Sequence, residues 1–243
     1  MGGRASISDT AHQRPASCKL AAPLPHNYEC IIQDADMMNI NQSELHHHLS
    51  SGIFLNQKKQ KYWIDNSGYN CFMLFPRDLA ITWAEDKQYW QWSSMKESST
   101  SCEMAIEVAE LLNVCWLEVN GKLDISKLNP GVKYEVVFVV MLKNSAYGWE
   151  KPVNLRLVHS GSQTQLRKED LQKKPKSQWI EVQIGEFQTP PQPADDKQGK
   201  EIQFSLFECE NQNWKRGLVI KGVIVDLRNK SKARLDDMFY SYQ

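Results

Sequence analysis

Hydrophobic and polar positions alternate along much of the chain after residue 62. Ile180, Val182 and Ile184 alternate with polar neighbours, and Ile202 and Phe204 begin the same pattern further on. This period of two places one apolar face on a core and one polar face in solvent, as in an antiparallel sheet. Strands are predicted at residues 70–75, 79–83, 88–92, 113–119, 133–142, 153–158, 178–184, 201–207 and 217–227, and several of them show this alternation.

Turn signals separate these strands, and long helical periodicity is missing after residue 62. Asn120-Gly121 lies between two short apolar segments and predicts a tight hairpin turn. Residues 103–112 fit either one helical turn or the edge of a strand. Short strands without crossover helices predict an all-β fold, namely a jelly-roll-like antiparallel β-sandwich.

The two ends of the chain differ in composition from the region of predicted strands. Residues 1–61 are predicted to be an N-terminal extension that is mostly a flexible leader, rich in Pro, Ser, Ala and Asn. One short helix is predicted near residues 43–51, because Ser43 is a helix start and Gly52 a helix stop. Residues 62–228 form the predicted folded domain, and residues 229–243 form a polar C-terminal tail.

Charge and targeting signals narrow the class of protein. Lys and Arg number 29 and Asp and Glu number 29, so the formal net charge of zero argues against a general polyanion binder. No apolar run approaches the roughly 20 residues of a membrane-spanning helix. The N-terminal residues have no apolar stretch of the kind a secretory signal needs, so a cytoplasmic location with reduced thiols is expected.

Catalytic and metal-binding motifs are missing from the sequence. There is no GxGxxG, P-loop, GxSxG or HExxH pattern, and the six cysteines form no CxxC pair. The consecutive histidines 46–48 would point in different directions on a helix, so they do not form a predicted metal site. We therefore expect no catalytic residues, no metal and no cofactor.

The densest chemical feature is the aromatic segment at residues 79–92, which holds three of the eight tryptophans. Trp83 is in phase with Leu79 and Ile81, which favours an inward position. Trp90 shares a face with Trp92. Two interpretations stay open: the rings fill a core, or an exposed indole stacks on the apolar face of a sugar while nearby polar groups bind its hydroxyls.

Several sequence blocks occur in a familiar order between about residue 62 and residue 227. They lie at residues 62–65, 71–74, 77–83, 88–92, 114–119, 147–149, 179–182 and 214–222. Together they resemble the phloem protein 2 lectins, which are grouped with the Nictaba-related plant lectins. The resemblance implies a jelly-roll β-sandwich, often a homodimer, in phloem companion cells or sieve elements. It also implies a non-catalytic lectin for N-acetylglucosamine oligomers, such as chitin fragments and the N-glycan cores of glycoproteins.

The resemblance also implies where the binding site lies. The two site tryptophans of the family fall on Trp83 and Trp90, and two acidic residues tied to binding fall on Glu201 and Glu208. These carboxylates are seven residues apart, so a regular strand would place them on opposite faces. Trp214, in a predicted loop beside Glu208, is a candidate third wall of the site.

Other functions stay open at this point. One is a structural or RNA-interacting phloem protein whose polymers are joined by disulfides through Cys18 or Cys30. Zero net charge gives RNA binding little support, and the basic run 173–176 is interrupted by Pro175, which argues against a nuclear import signal. Another is a chitin-cleaving enzyme, which would need a raised-pKa acid facing a second carboxylate.

Overall fold

The structure is a computed structural model that describes residues 24–33, 35, 42–99, 102–159, 163–191, 201–210 and 212–227. Two α-helices, α1 at Tyr28–Ile32 and α2 at Gln42–Ser51, precede the strands. The helix predicted near residues 43–51 lies within α2. No helix in the described ranges combines the length and apolar character needed to cross a bilayer.

Antiparallel strands make up most of the remaining described chain, including residues 103–112, which lie almost wholly in a strand. They are β1 Ile53–Leu55, β2 Gln60–Ile64, β3 Asn70–Leu74, β4 Ala80–Ile81, β5 Trp90–Ser99, β6 Cys102–Leu111, β7 Leu117–Asp124, β8 Lys133–Tyr147, β9 Val153–His159, β10 Gln165–Glu169, β11 Trp179–Gln188, β12 Glu201–Glu208 and β13 Arg216–Leu227.

The strands form two sheets. In the larger sheet, β13 is central: it pairs with β8 along one side and with β3 and β6 along the other. Strands β1 and β2 extend this sheet beyond β3, β5 extends it beyond β6, and β11 pairs with β8. The smaller sheet has the order β10-β9-β12-β7-β4. The predicted antiparallel β-sandwich is therefore confirmed.

The main hydrophobic core lies between the two sheets. Phe72, Phe138 and Val223 enter it from the larger sheet, while Val119 and Phe204 enter it from the smaller one. The rings of Phe138 and Phe204 meet edge to face with centroids 6.3 Å apart, so they join the two layers directly. On β12, the alternation of buried residues such as Phe204 with more exposed ones explains why period two predicts this strand.

A second hydrophobic cluster covers the opposite face of the larger sheet. It contains Met73, Ile106, Val139, Val219 and Ile224, all buried, together with Phe75, Val108 and Trp179. Val139 lies between core residues on β8, and Val219 lies between core residues on β13, so these side chains leave the strand on the other face. Both faces of the larger sheet are therefore apolar, which gives β13 its nearly continuous burial.

The second cluster encloses a set of charged groups. Lys221, almost fully buried, places Nζ 2.8 Å from Oε2 of Glu97, and Lys61 places Nζ 3.3 Å from Oε1 of the same carboxylate. Lys221 also lies over the ring of Trp179, with 6.0 Å from Nζ to the centroid. A charge buried this deeply needs a partner, so these contacts fix how β5 lies against β2 and β13.

Part of the N-terminal extension packs on the sandwich. Ile31 in α1 and Leu49 in α2 are both buried in the main core. Asn70 donates a hydrogen bond from Nδ2 to the carbonyl oxygen of His26. The predicted boundary at residue 62 falls inside β2, because the larger sheet begins at Ile53. Residues 24–33 and 42–61 are thus built into the sheet and its core, whereas residues 1–23 and 229–243 lie outside the described ranges.

The hairpin prediction at Asn120-Gly121 is wrong. Both residues lie in the middle of β7, where Asn120 pairs with Ser205 and Gly121 with Phe204 of β12. A Cβ atom on Gly121 would lie 2.3 Å from Cε2 of Phe204 and 2.8 Å from Cδ2 of Leu79. Glycine is needed here because the Phe204 ring occupies the space of a side chain, not because the chain turns.

Replacing Gly121 with alanine should therefore destabilise the fold. We expect the free energy of unfolding to fall by about 1–3 kcal/mol, the usual cost of overpacking a core. Chemical denaturation of Gly121→Ala measures this loss. The loss should shrink when Phe204→Leu is added, since the smaller side chain leaves room for the new methyl group. Equal losses in both backgrounds would contradict the assignment.

Candidate functional site

Trp83 stands on a turn between β4 and β5. β4 ends at Ile81, and the amide of Ala84 donates to the carbonyl oxygen of Ile81 to close the turn. Trp83 adopts a left-handed backbone with φ of 59°, and 47 % of its surface is exposed. The inward position predicted for Trp83 is wrong because the strand alternation stops before it. The ring of Tyr89 packs against the Trp83 indole with centroids 5.2 Å apart.

The indoles of Trp90 and Trp92 on β5 hold this turn through hydrogen bonds. Trp90 donates from Nε1 to the carbonyl oxygen of Thr82 at 3.0 Å, and Trp92 donates to that of Ala84 at 2.9 Å. The carbonyls on both sides of Trp83 are thus fixed by side chains. Trp90 is only 2 % exposed, so its ring is part of the core and cannot serve as a sugar platform. The structure brings Trp83 and Trp90 together, but with different roles.

A carboxylate, Glu118, lies beside this turn on the outer face of β7. Its Oε2 accepts from Nε1 of Trp116 at 3.2 Å and from the Thr82 hydroxyl at 3.4 Å, and its Oε1 accepts from Asn120 at 3.3 Å. These bonds, led by the one from Trp116, hold the pKa of the Glu118 carboxyl below its usual range. Glu118 is therefore ionised at neutral pH and is held in one orientation.

A row of polar side chains continues from Glu118 across the smaller sheet. Ser205 donates to Oδ1 of Asn120 at 2.7 Å, and Arg156 donates to the Ser205 hydroxyl oxygen at 3.2 Å. These residues line a groove of about 460 Å³, to which Lys122 and Gln203 also contribute. The surface thus combines an exposed indole at one end with hydrogen-bonding groups along a groove, a combination suited to a polyhydroxylated ligand.

Of the two acidic residues predicted for the site, Glu201 lies at the other end of β12 from Trp83, and Glu208 lies opposite Leu117 on the core face of the sheet. β12 is regular, so Glu201 and Glu208 face opposite sides of the sheet and are roughly 23 Å apart along the strand. Glu201 is at the far end from Trp83 and forms an ion pair with Lys122 at 2.9 Å. Glu208 is 1 % exposed and forms a buried ion pair with Lys215, so it has no surface to offer a ligand.

Trp214 is exposed, with 49 % of its surface open, on the loop before β13. The neighbouring Lys215 pairs with Val114 through two backbone hydrogen bonds, which places Trp214 across from Cys115, one residue from Trp116. Trp214 therefore lies at the same end of the sandwich as Trp116. Of the cysteines predicted to cross-link, Cys30 is exposed, while Cys18 lies outside the described residues.

Sequence reasoning missed Trp116, Glu118 and Asn120 as site residues. The sequence predicts this segment to be a strand that leads into a hairpin, and it is one of the blocks that resemble the phloem protein 2 lectins, but neither signal assigns it a binding residue. Its alternation nevertheless carries the signal, because Leu117 and Val119 face the core and the residues between them must face outward. A tryptophan and a carboxylate on the outer face of one strand are the pattern that could have identified them.

Comparison with known proteins identifies the family. The family model described as "Phloem protein 2" matches residues 69–226. This chain belongs to the phloem protein 2 family. A protein of Arabidopsis thaliana, "Protein PHLOEM PROTEIN 2-LIKE A1", is 44 % identical over 205 residues, which cover 83 % of this chain and 80 % of that protein. A protein of Luffa acutangula named "Lectin" is 39 % identical and covers 82 % of this chain and 93 % of its own length.

Among solved structures, the xylan-binding CBM22-1 domain of Paenibacillus barcinonensis Xyn10C is similar to this phloem protein 2 domain. The two share 12 % sequence identity with a TM-score of 0.33, over 63 % of this chain and 87 % of the other. The matched family region begins in the turn before β3 and ends within β13. It therefore contains the Trp83 turn, Glu118 and the groove.

The hydrogen bonds from the Trp90 and Trp92 indoles to the Trp83 turn make a testable prediction for the phloem protein 2 domain. Trp90→Phe keeps an aromatic ring but removes the hydrogen bond to Thr82, worth about 1 kcal/mol. We expect the amides of Ala84 and Asp86 to exchange with solvent roughly fivefold faster. Hydrogen exchange followed by NMR gives this rate.

Trp149→Phe is the matched control for Trp90→Phe, because the buried Trp149 indole donates to the carbonyl oxygen of Arg216 and not to the Trp83 turn. It should leave exchange at the turn unchanged. Equal acceleration in both variants, or none in Trp90→Phe, would show that the indole bond does not hold the turn.

The two glutamates of β12 make a second prediction, about stability. Glu208→Gln leaves the Lys215 ammonium buried without its partner charge, so the free energy of unfolding should fall by about 3–5 kcal/mol. Glu201→Gln is the control on the same strand. Its partner Lys122 is well exposed, so the loss should be under about 1 kcal/mol. Urea denaturation compares the two, and similar losses would contradict the difference in burial.

Proposed function

We propose that the protein is a non-catalytic lectin that binds oligosaccharides of N-acetylglucosamine, such as chitin fragments and N-glycan cores. Membership of the phloem protein 2 family supports the proposal, as does the Luffa relative that is named a lectin. The observation that supports it is the exposed indole of Trp83 on a turn whose preceding residue, Thr82, donates a hydrogen bond to the ionised carboxylate of Glu118.

The chemistry of this pair suits an amino sugar. A pyranose ring has an apolar C–H face that stacks on an indole, while its hydroxyl and N-acetyl groups need hydrogen-bond partners. A carboxylate accepts about four hydrogen bonds, and Glu118 already accepts three, from Trp116, Thr82 and Asn120. About one acceptor position is left for an O–H or N–H group of a sugar on Trp83.

The ionised state of Glu118 supports binding of a glycan rather than hydrolysis of its glycosidic bond. A glycosidase needs a carboxylic acid with a raised pKa that donates a proton to the leaving oxygen. The hydrogen bonds to Glu118 lower the pKa of its carboxyl, which keeps it ionised and makes it an acceptor. We therefore assign Glu118 to ligand recognition.

The cellular setting and assembly are part of the proposal. We place the lectin in the cytoplasm of phloem companion cells or sieve elements, as its family suggests, and we propose that it forms a homodimer. Two sites on one dimer would bind a multivalent glycoprotein more tightly than one site binds a single glycan. A monovalent oligosaccharide is therefore the right probe for the site itself.

Titration calorimetry with chitotriose tests the proposed site. The wild-type chain should bind, and Trp83→Ala should bind at least roughly tenfold more weakly because the stacking surface is gone. Glu118→Gln should also weaken binding, since the amide replaces an acceptor oxygen with a donor group. Circular dichroism checks that each variant is folded.

Leu166→Ala is the control for the titration, because Leu166 is an exposed apolar residue on β10, the edge strand at the other side of the smaller sheet. Its affinity should match the wild type. Failure of the wild type to bind chitotriose would refute the lectin proposal. It would favour the alternative, a structural or RNA-interacting phloem protein, for which the exposed Cys30 would be the first thiol to replace.

A further inference from the structure

A second exposed indole lies on the segment that precedes β7, which pairs with β4 just before the Trp83 turn. Trp116 precedes β7 and leaves 46 % of its surface exposed. Its Nε1 and the Thr82 hydroxyl contact the same oxygen of Glu118, and Thr82 directly precedes Trp83. One exposed indole therefore bonds to this carboxylate directly, and the turn that carries the other bonds to it through Thr82.

We infer that Trp116 is a second sugar platform, so that the site holds two successive sugar units with Glu118 between them. This inference rests on the proposed function and extends it. It makes Trp116 the residue that lets the protein distinguish an oligosaccharide from a single N-acetylglucosamine.

The way Trp116 is held supports this role. The bond to Glu118 uses the N–H edge of the indole, which leaves the ring exposed and restrains its rotation. A restrained aromatic platform loses little conformational entropy on binding, so more of the contact energy appears as affinity.

The polar surroundings fit a carbohydrate better than an apolar protein segment. From Glu118 the surface continues into Asn120, Ser205 and Arg156, which are joined by hydrogen bonds along the groove. Hydroxyl groups of a sugar chain would find both donors and acceptors there, whereas an apolar partner would leave these groups unpaired. The ligand class is therefore an oligosaccharide that extends beyond one ring.

Comparing ligands of different length tests the inference. Affinities for N-acetylglucosamine and for chitotriose are measured by NMR titration of the wild type, Trp116→Ala and Trp116→Phe. Trp116→Ala should lose roughly tenfold in chitotriose affinity but less than about twofold for the monosaccharide, which needs only the Trp83 platform. Trp116→Phe keeps a ring and should retain most of the preference for chitotriose.

The outcomes separate the inference from the function on which it rests. If the wild type binds neither ligand, the lectin proposal fails and the inference falls with it. If the wild type binds and Trp83→Ala weakens both ligands, the lectin proposal stands. The second platform is then refuted if Trp116→Ala weakens both ligands equally or neither. It is also refuted if Trp214→Ala, the other exposed indole at this end, removes the chain-length preference instead.

Discussion

Burial of both faces of the larger sheet is the constraint on which the structure depends. β13 lies at the centre of that sheet, with the main core on one face and the second cluster on the other. A strand buried on both faces cannot carry an unpaired charge, so Lys221 must meet Glu97. This contact ties β5 to the sheet, and β5 is also the strand that supplies Trp90 and Trp92.

The proposed binding surface follows from that arrangement. Because β5 is fixed, its two indoles meet the carbonyls of Thr82 and Ala84 and hold the turn that carries Trp83. The smaller sheet supplies the other half of the surface through Glu118 and its neighbours on β7. The proposed site is thus assembled from strands around one short turn.

Sequence reasoning succeeded where a single physical signal acts alone. Period-two alternation located strands with one buried face, such as β12, as Ile202 and Phe204 show. It failed at Asn120-Gly121, where a distant ring rather than a turn requires glycine, and at Trp83, where the strand ends two residues too early for the alternation to hold.

The candidate site was only partly predictable for the same reason. The resemblance to phloem lectins pointed to the segment around Trp83 and Trp90. It did not show that Trp90 is buried and bonds to the Thr82 carbonyl oxygen while Trp83 is exposed. Likewise, the burial of Glu208 depends on its ion pair with Lys215, which lies on the loop before β13. Contacts between segments far apart in the chain leave no periodic signal in either segment.

The dependence of the Trp83 turn on β5 has a consequence for protein engineering. Transplanting residues 82–89 onto another sandwich would move the indole but leave behind the donors that shape its backbone. A transferable recognition module must include β4, the turn and the first residues of β5 as one continuous piece, together with β7 as the acceptor strand. The proposed ligand specificity could then be redesigned at position 116, whose indole bonds to Glu118 rather than to the turn.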